Sequence, residues 1–155
     1  MHTAWDNDRA REIIERHEGL EGPLLPILHA LQAEFGHVPE AAVRLVAEIL
    51  NLSRAEVHGV VSFYHDFRSS PSGRHVLKVC RAEACQSMGG EASAQRLLDR
   101  LGLEWGGTTR DGRLTVEATY CLGLCATAPS AMLDGKVAGR LDTKKLDALE
   151  GEAWP

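Results

Sequence analysis

Long hydrophobic runs are missing from this sequence: nothing in its 155 residues approaches the ~20 consecutive apolar residues that a membrane-spanning helix needs. The first residues, MHTAWDNDRAREIIERHEG, are polar and charged. They form no apolar h-region, so no secretory signal is read there and the expected compartment is the cytosol. Runs of Lys and Arg are missing too. With a formal net charge of −5 the chain has no general attraction for nucleic acid or an anionic membrane. No G-x-G-x-x-G follows a strand-like segment and no Walker sequence occurs, so no dinucleotide site is expected. The metalloprotease pattern H-E-x-x-H is absent, as is the C-x-x-C of a thioredoxin-type redox pair, and no Ser/His/Asp pattern is visible. No internal repeat or low-complexity tract occurs. Cysteine is scarce, with four residues in all.

What is present divides by period. DNDRAREIIERHEG begins at an Asp/Asn cluster that can cap a helix and stops at Gly19. GPLLPILHALQAEFG has Pro23 near its start, where a missing N–H costs nothing, and Gly36 at its stop. Pro26 falls in its first turn, and Leu24, Leu28, Leu31 and Phe35 make one apolar stripe. VPEAAVRLVAEILN repeats the pattern from Pro39, with Val43, Val46 and Leu50 on one face and Asn51 to close it. SRAEVHGVVSFYHDF opens with Ser53 and Glu56 at capping-box spacing, followed by Val57, Val60, Val61 and Tyr64 at i, i+3, i+4 and i+7. Four short helices with brief connections predict a helical bundle over residues 1–67.

RSSPSG, residues 68–73, reads as a linker. Beyond it, residues 74–155 read β-α-β-β-β-α. HVLKVC is a short strand, EASAQRLLDRLG a helix stopped by Gly102, and GRLTVEATYC a strand. AMLDGKVAG is a hairpin turning at Asp134-Gly135, and DTKKLDALEG is a last helix capped by Asp142 or Thr143. The expected architecture is a helical bundle followed by a small mixed α/β domain.

The four cysteines all fall in the second part. Cys80 ends the first strand and Cys85 is placed in the loop beyond it; Cys121 ends the next long strand and Cys125 is placed in the loop that follows. If those strands are parallel neighbours, both loops emerge at one sheet edge and four thiols converge. The first turn of the helix after Cys85 would then point N–H groups toward that edge. Gly89, Gly90 and Gly123 would let backbone N–H groups approach sulfur closely. Three readings stand open on the residues alone. Two disulfides conflict with a reducing compartment. A Cys₄ zinc that stabilises an interaction module fits the spacings loosely. A [2Fe–2S] cluster, with two thiolates on each iron, accommodates C-x₄-C.

C-x₄-C followed about thirty-five residues later by C-L-G-x-C, with Ala-Pro nearby, resembles the thioredoxin-like [2Fe–2S] ferredoxin family. This family includes the small iron–sulfur subunits of complex I, of NAD-linked hydrogenases and of NAD-dependent formate dehydrogenases. Three stretches, VCRAEACQSMG, YCLGLCA and LEGPLLPILHALQAEFGHVP, look most like the gamma subunits of the molybdenum formate dehydrogenases. The resemblance implies a helical bundle and then a thioredoxin-like domain, with Cys80, Cys85, Cys121 and Cys125 as the ligands of one [2Fe–2S] cluster. It implies an electron-transfer subunit that is no enzyme on its own and sits in a hetero-oligomer. Its implied partners are a flavin- and iron–sulfur-bearing NAD-binding subunit and a molybdenum-containing formate dehydrogenase subunit.

Other residues draw attention and then lose it. None of the seven histidines lies within a cysteine pair, and His29, His58 and His65 fall on expected helices as core-edge or surface residues. ILNLSRAEVHGVVSFY has the outline of a helix-turn-helix, yet Arg54 is the only basic residue of its second helix apart from histidine, which argues against DNA. Arg81 and Glu83, between the first two cysteines, read as a solvated loop pair; the competing reading is that they tune the site or meet a partner.

Overall fold

Apolar residues recur at helical spacing up to the Ser/Pro/Gly stretch and at strand spacing after it, and the chain folds accordingly. The computed structural model describes residues 3–153, which form two compact units divided between Pro71 and Ser72.

The first unit holds α1 (Asn7–Glu15), α2 (Leu24–Phe35), α3 (Glu40–Ile49) and α4 (Arg54–Phe63). Each begins as its residues dictate. Asp6 caps α1 by accepting from the Arg9 N–H at 2.8 Å. Pro23 and Pro39 occupy the N-caps of α2 and α3, and Gly36 ends α2 at φ 77°. At α4 the capping box is complete: Ser53 Oγ accepts from Glu56 N–H and the Glu56 carboxylate accepts from Ser53 N–H. Ile13 and Ile14 of α1, Ile27, Leu28, Leu31 and Phe35 of α2, Val43 and Val46 of α3 and Val57 of α4 form one core. Burial of each large side chain there contributes roughly 1.5–3 kcal/mol. The expected α4 stripe is only partly covered. Val57 is buried, Val60 and Val61 are half-buried, and Tyr64 lies beyond the helix end with 43% of its surface exposed. His65 stands in the turn after α4 rather than on a helix, because the chain leaves helical geometry at Tyr64.

The second unit contains β1 (His75–Cys80), α5 (Glu83–Ser87), α6 (Gly90–Leu101), β2 (Leu114–Thr119), β3 (Ala131–Leu133), β4 (Lys136–Ala138) and α7 (Thr143–Glu152). The sheet order is β2-β1-β3-β4. β1 and β2 are parallel, whereas β3 runs antiparallel to both β1 and β4. Leu77 lies between Val116 and Leu133 in register, and this apolar row packs with Leu97 and Leu98 of α6 and Leu146 of α7. The β3–β4 hairpin turns at Asp134 (φ 48°) and Gly135 (φ 85°), two left-handed residues as a type I′ turn requires. The Asp134 carboxylate also accepts from the Val76 N–H at 2.9 Å, tying the turn to β1. Asp142 caps α7 through the Lys145 N–H.

Two short elements were not expected, one of them a single 3₁₀ turn at Cys125–Thr127 in the segment after β2. Cys85 lies on the short helix α5 and is buried, not in an open loop. Five residues are too few to show an apolar period, which is why the sequence pattern hides this turn of helix. Among the described residues no helix is long and apolar enough to cross a membrane.

Candidate metal centre

The parallel pairing of β1 with β2 brings the cysteines together. Cys80 is level with Thr119, so both strands end at one sheet edge and Cys121 follows two residues later. The Arg81 N–H donates to Thr119 O at 2.8 Å and the Cys80 N–H to Ser130 O at 3.0 Å. These bonds fasten the segment after β1 to the end of β2 and to the approach to β3.

The four sulfurs form two pairs of different exposure. Cys80 and Cys85 are buried, at 3% and 1% exposed, whereas Cys121 and Cys125 face solvent. Cys121 Sγ and Cys125 Sγ stand 3.7 Å apart. Two thiolates sharing one tetrahedral ion at ~2.3 Å would be about 3.8 Å apart, while a disulfide is ~2.05 Å long. All four thiols are free.

Backbone N–H groups converge on sulfur. Burial pushes the Cys80 thiol up, but hydrogen bonds outweigh it and leave its pKa below the ordinary value. They come from the Ala82 N–H, the Cys85 thiol and the N–H groups of Cys121 and Leu122. Gly123 N–H donates to Cys121 Sγ at 3.3 Å. Cys121 itself has φ 94°, a conformation that costs a non-glycine residue on the order of 1–3 kcal/mol and accumulates at functional sites. Cys125 is pushed the other way. Its shared hydrogen bond with Cys121 is the largest cause, followed by the Cys121 charge, burial, and the charges of Cys85 and Cys80. Four thiolates gathered here accumulate negative charge that a cationic group would offset.

The glycines act differently from expectation, apart from Gly123. Gly89 N–H donates to Gln86 O, and Gly89 supplies a left-handed turn (φ 83°) between α5 and α6. Gly90 is needed for close packing on the Cys85 carbonyl. The backbone N–H donors named above belong to the connecting segments, not to the first turn of α6. Arg81 does not pair with Glu83. It closes on Glu91 of α6 with Nε at 3.0 Å and an Nη at 2.8 Å, and its guanidinium lies 4.8 Å from the Trp105 ring centroid. Sequence reasoning missed Ser130, whose Oγ lies 3.5 Å from Cys85 Sγ.

The donor set suits an iron–sulfur cluster. Four soft thiolates in two pairs are the donor set that a [2Fe–2S] cluster would take. The sequence pattern of the thioredoxin-like [2Fe–2S] ferredoxins matches residues 10–152. The chain belongs to this family. Its cofactor is a [2Fe–2S] cluster, its second unit is a thioredoxin-like ferredoxin domain, and its role is electron transfer. Of the three readings left open by the residues alone, family membership selects the cluster over zinc and disulfides.

Individual relatives agree with this membership. The NADP-reducing hydrogenase subunit HndA of Solidesulfovibrio fructosivorans is 35% identical over 154 residues, covering 97% of this chain and 90% of that protein. One of the NADH-quinone oxidoreductase subunits of Mycobacterium tuberculosis is 38% identical over 125 residues, 81% of this chain. The match covers only 50% of that longer protein. Among solved structures, an NAD⁺-reducing [NiFe]-hydrogenase in the air-oxidized state superposes with a TM-score of 0.71 at 28% identity. The superposition covers 91% of this chain and 25% of the hydrogenase chain.

Proposed function

We propose that Cys80, Cys85, Cys121 and Cys125 hold the cluster, the first two on one iron and the last two on the other. The chain would then work as the electron-transfer subunit of an NAD-dependent dehydrogenase complex in the cytoplasm. The observation that carries the ligand assignment is the pairing of sulfurs at one sheet edge, with Cys121 and Cys125 at the separation of co-ligands. When bound, the cluster supplies a one-electron Fe(III)/Fe(II) couple and makes no bond to a substrate. The protein's part is to hold charge and control access. N–H groups of Ala82, Cys121, Leu122 and Gly123 meet thiolate charge, and burial of Cys80 and Cys85 excludes water from one side. Cys121 and Cys125 leave the other side open, flanked by exposed Tyr120.

The partner we assign is a flavin- and iron–sulfur-bearing NAD-binding subunit. We place the complex among the molybdenum formate dehydrogenases, with this chain as the gamma subunit. VCRAEACQSMG, YCLGLCA and LEGPLLPILHALQAEFGHVP support that choice. A second reading, as the corresponding subunit of an NAD-linked hydrogenase or of complex I, has the support of the relatives reported above. The outer face of the helical unit is assigned to contact with the flavin-bearing subunit. Phe63 is 72% exposed, and Leu20 and Tyr64 are also exposed. An open groove of about 860 Å³ lies nearby, lined by Leu24, Leu25, Ile49, Leu50, Leu52 and Val60.

Isolation of the intact complex tests both levels. Two irons and two acid-labile sulfides on this chain, with an EPR signal only after reduction, are expected; colourless protein with stoichiometric zinc would overturn the ligand assignment. Reduction of the cluster by formate in the complex supports the dehydrogenase, whereas reduction by hydrogen, or by NADH but not by formate, supports the second reading.

A further inference from the structure

Ser130 is among the few buried polar residues of the described chain, with 1% of its surface exposed. It sits immediately before β3 and touches both cysteines of the buried pair. Its carbonyl accepts the Cys80 N–H at 3.0 Å, and its hydroxyl lies 3.5 Å from Cys85 Sγ. A buried hydroxyl without a partner is costly, and among the described residues no buried side-chain polar atom lacks one. With Cys85 as a thiol, either group can donate. Once Cys85 gives up its proton to become a metal ligand, only the hydroxyl has a proton to share. The other donors to ligand sulfur identified above, apart from the Cys85 thiol itself, are backbone N–H groups. Ser130 is therefore a side-chain donor that a single substitution can delete.

We propose that the Ser130 hydroxyl donates to the Cys85 thiolate and raises the reduction potential of the cluster. The inference rests on the ligand assignment made above. Reduction adds one negative charge, part of which spreads onto the thiolates. A donor aimed at one of them stabilises the reduced form more than the oxidised form. The low dielectric around two buried cysteines strengthens that preference.

The test is a redox titration of the loaded full-length chain, followed by visible absorbance and EPR, for the wild type and Ser130→Ala. The alanine variant is expected to load two irons and two sulfides and to shift the oxidised/reduced equilibrium about tenfold toward oxidised, a fall of ~59 mV for one electron. Ser130→Thr, which keeps the donor, should stay near the wild type. A loaded alanine variant with unchanged potential would show that Ser130 only packs, and would leave the ligand assignment standing. Should alanine fail to load, the wild type decides: after exchange into deuterated water, ENDOR must show a deuteron coupled to the reduced cluster that Ser130→Thr retains and Ser130→Val lacks. Equal signals in threonine and valine variants, or none in the wild type, would reject the hydrogen bond. A wild-type chain that binds no iron and sulfide refutes the ligand assignment itself.

Discussion

Gly90 packs so closely on Cys85 that a β-carbon added to it would lie 2.6 Å from the Cys85 carbonyl oxygen and 3.2 Å from Pro129 Cβ. The contact sets α6 directly behind the buried half of the site. Neither neighbour can swing aside as a flexible side-chain tip would, since one is backbone and the other a ring. Gly90→Ala is expected to displace Cys85 and to leave iron and sulfide below two per chain. Gly89→Ala meets no atom within 4 Å. It should pay only for its left-handed backbone, roughly 1–2 kcal/mol, and keep the cluster. Iron and sulfide analysis of the two variants separates packing from conformation.

Arg81 links three parts of the site. It follows Cys80, pairs with Glu91 of α6 and stacks over Trp105. Its guanidinium is held further in the charged form, with Glu91 the largest favourable partner and Tyr120 a smaller one. Because Tyr120 precedes Cys121, the network ties one cysteine segment to the other. Arg81→Ala is expected to bind the cluster but to release iron faster to a chelator, measured by bleaching of the visible bands. Arg81→Lys should recover only part of the loss, because lysine cannot reproduce the two-pronged contact with Glu91. Release at the wild-type rate in Arg81→Ala would show that the network is ornamental to the site.

How much of this was legible beforehand depends on the range of the contact. Ser53–Glu56, Asp134–Gly135, Pro23 and Gly36 announce caps and turns because each acts within a few residues of itself. The convergence of Cys80 with Cys121 was legible as a condition on strand pairing, and the parallel register meets it. Contacts that depend on where a distant segment arrives were not legible. Arg81 lies close to Glu83 in sequence, yet Glu91 is delivered by the start of α6. Ser130 reaches Cys85 across 45 positions, and no spacing rule links a serine to a cysteine at that distance. Val57 is buried while Val60 and Val61 on the same helix are only half-buried, because an apolar stripe says which face a helix offers and not how far its neighbours cover it.

The α4 capping box gives the helical unit a pH dependence. Glu56 is held below the ordinary glutamate value of about 4.3, first by the backbone hydrogen bond from Ser53 and then by its side chain. A carboxyl with a depressed folded-state pKa adds stability that is fully present above the unfolded value and is lost as pH falls through the folded value. Glu56→Gln is therefore expected to lower the unfolding midpoint at neutral pH, with the gap to the wild type closing in acid. Ser53→Ala should cost about 1 kcal/mol at neutral pH. A Glu56→Gln gap that stays constant down to acid pH would remove the carboxylate from the account.

The two units invite separation between Pro71 and Ser72. A cut there keeps Gly73, whose N–H donates to buried Thr115 Oγ1 at 2.7 Å and whose missing side chain allows Arg113 to approach. A cut after Gly73 would remove both contacts. All four cysteines, Ser130 and the Arg81–Glu91 pair lie beyond the boundary, and the apolar core around Leu77 and Leu97 is built from that unit's own residues. Residues 72–155 are therefore expected to hold the cluster with an unchanged visible spectrum. The helical unit supplies no cysteine, so its loss should register in partner binding. Mixing truncated and full-length chains separately with the flavin-bearing partner measures this, and the truncated chain should bind far more weakly. In the full-length chain Phe63→Ser, at a side chain 72% exposed, should weaken binding without altering the spectrum. Equal binding by all three proteins would remove the helical unit from docking. Loss of the cluster on truncation alone would mean that the second unit does not stand by itself.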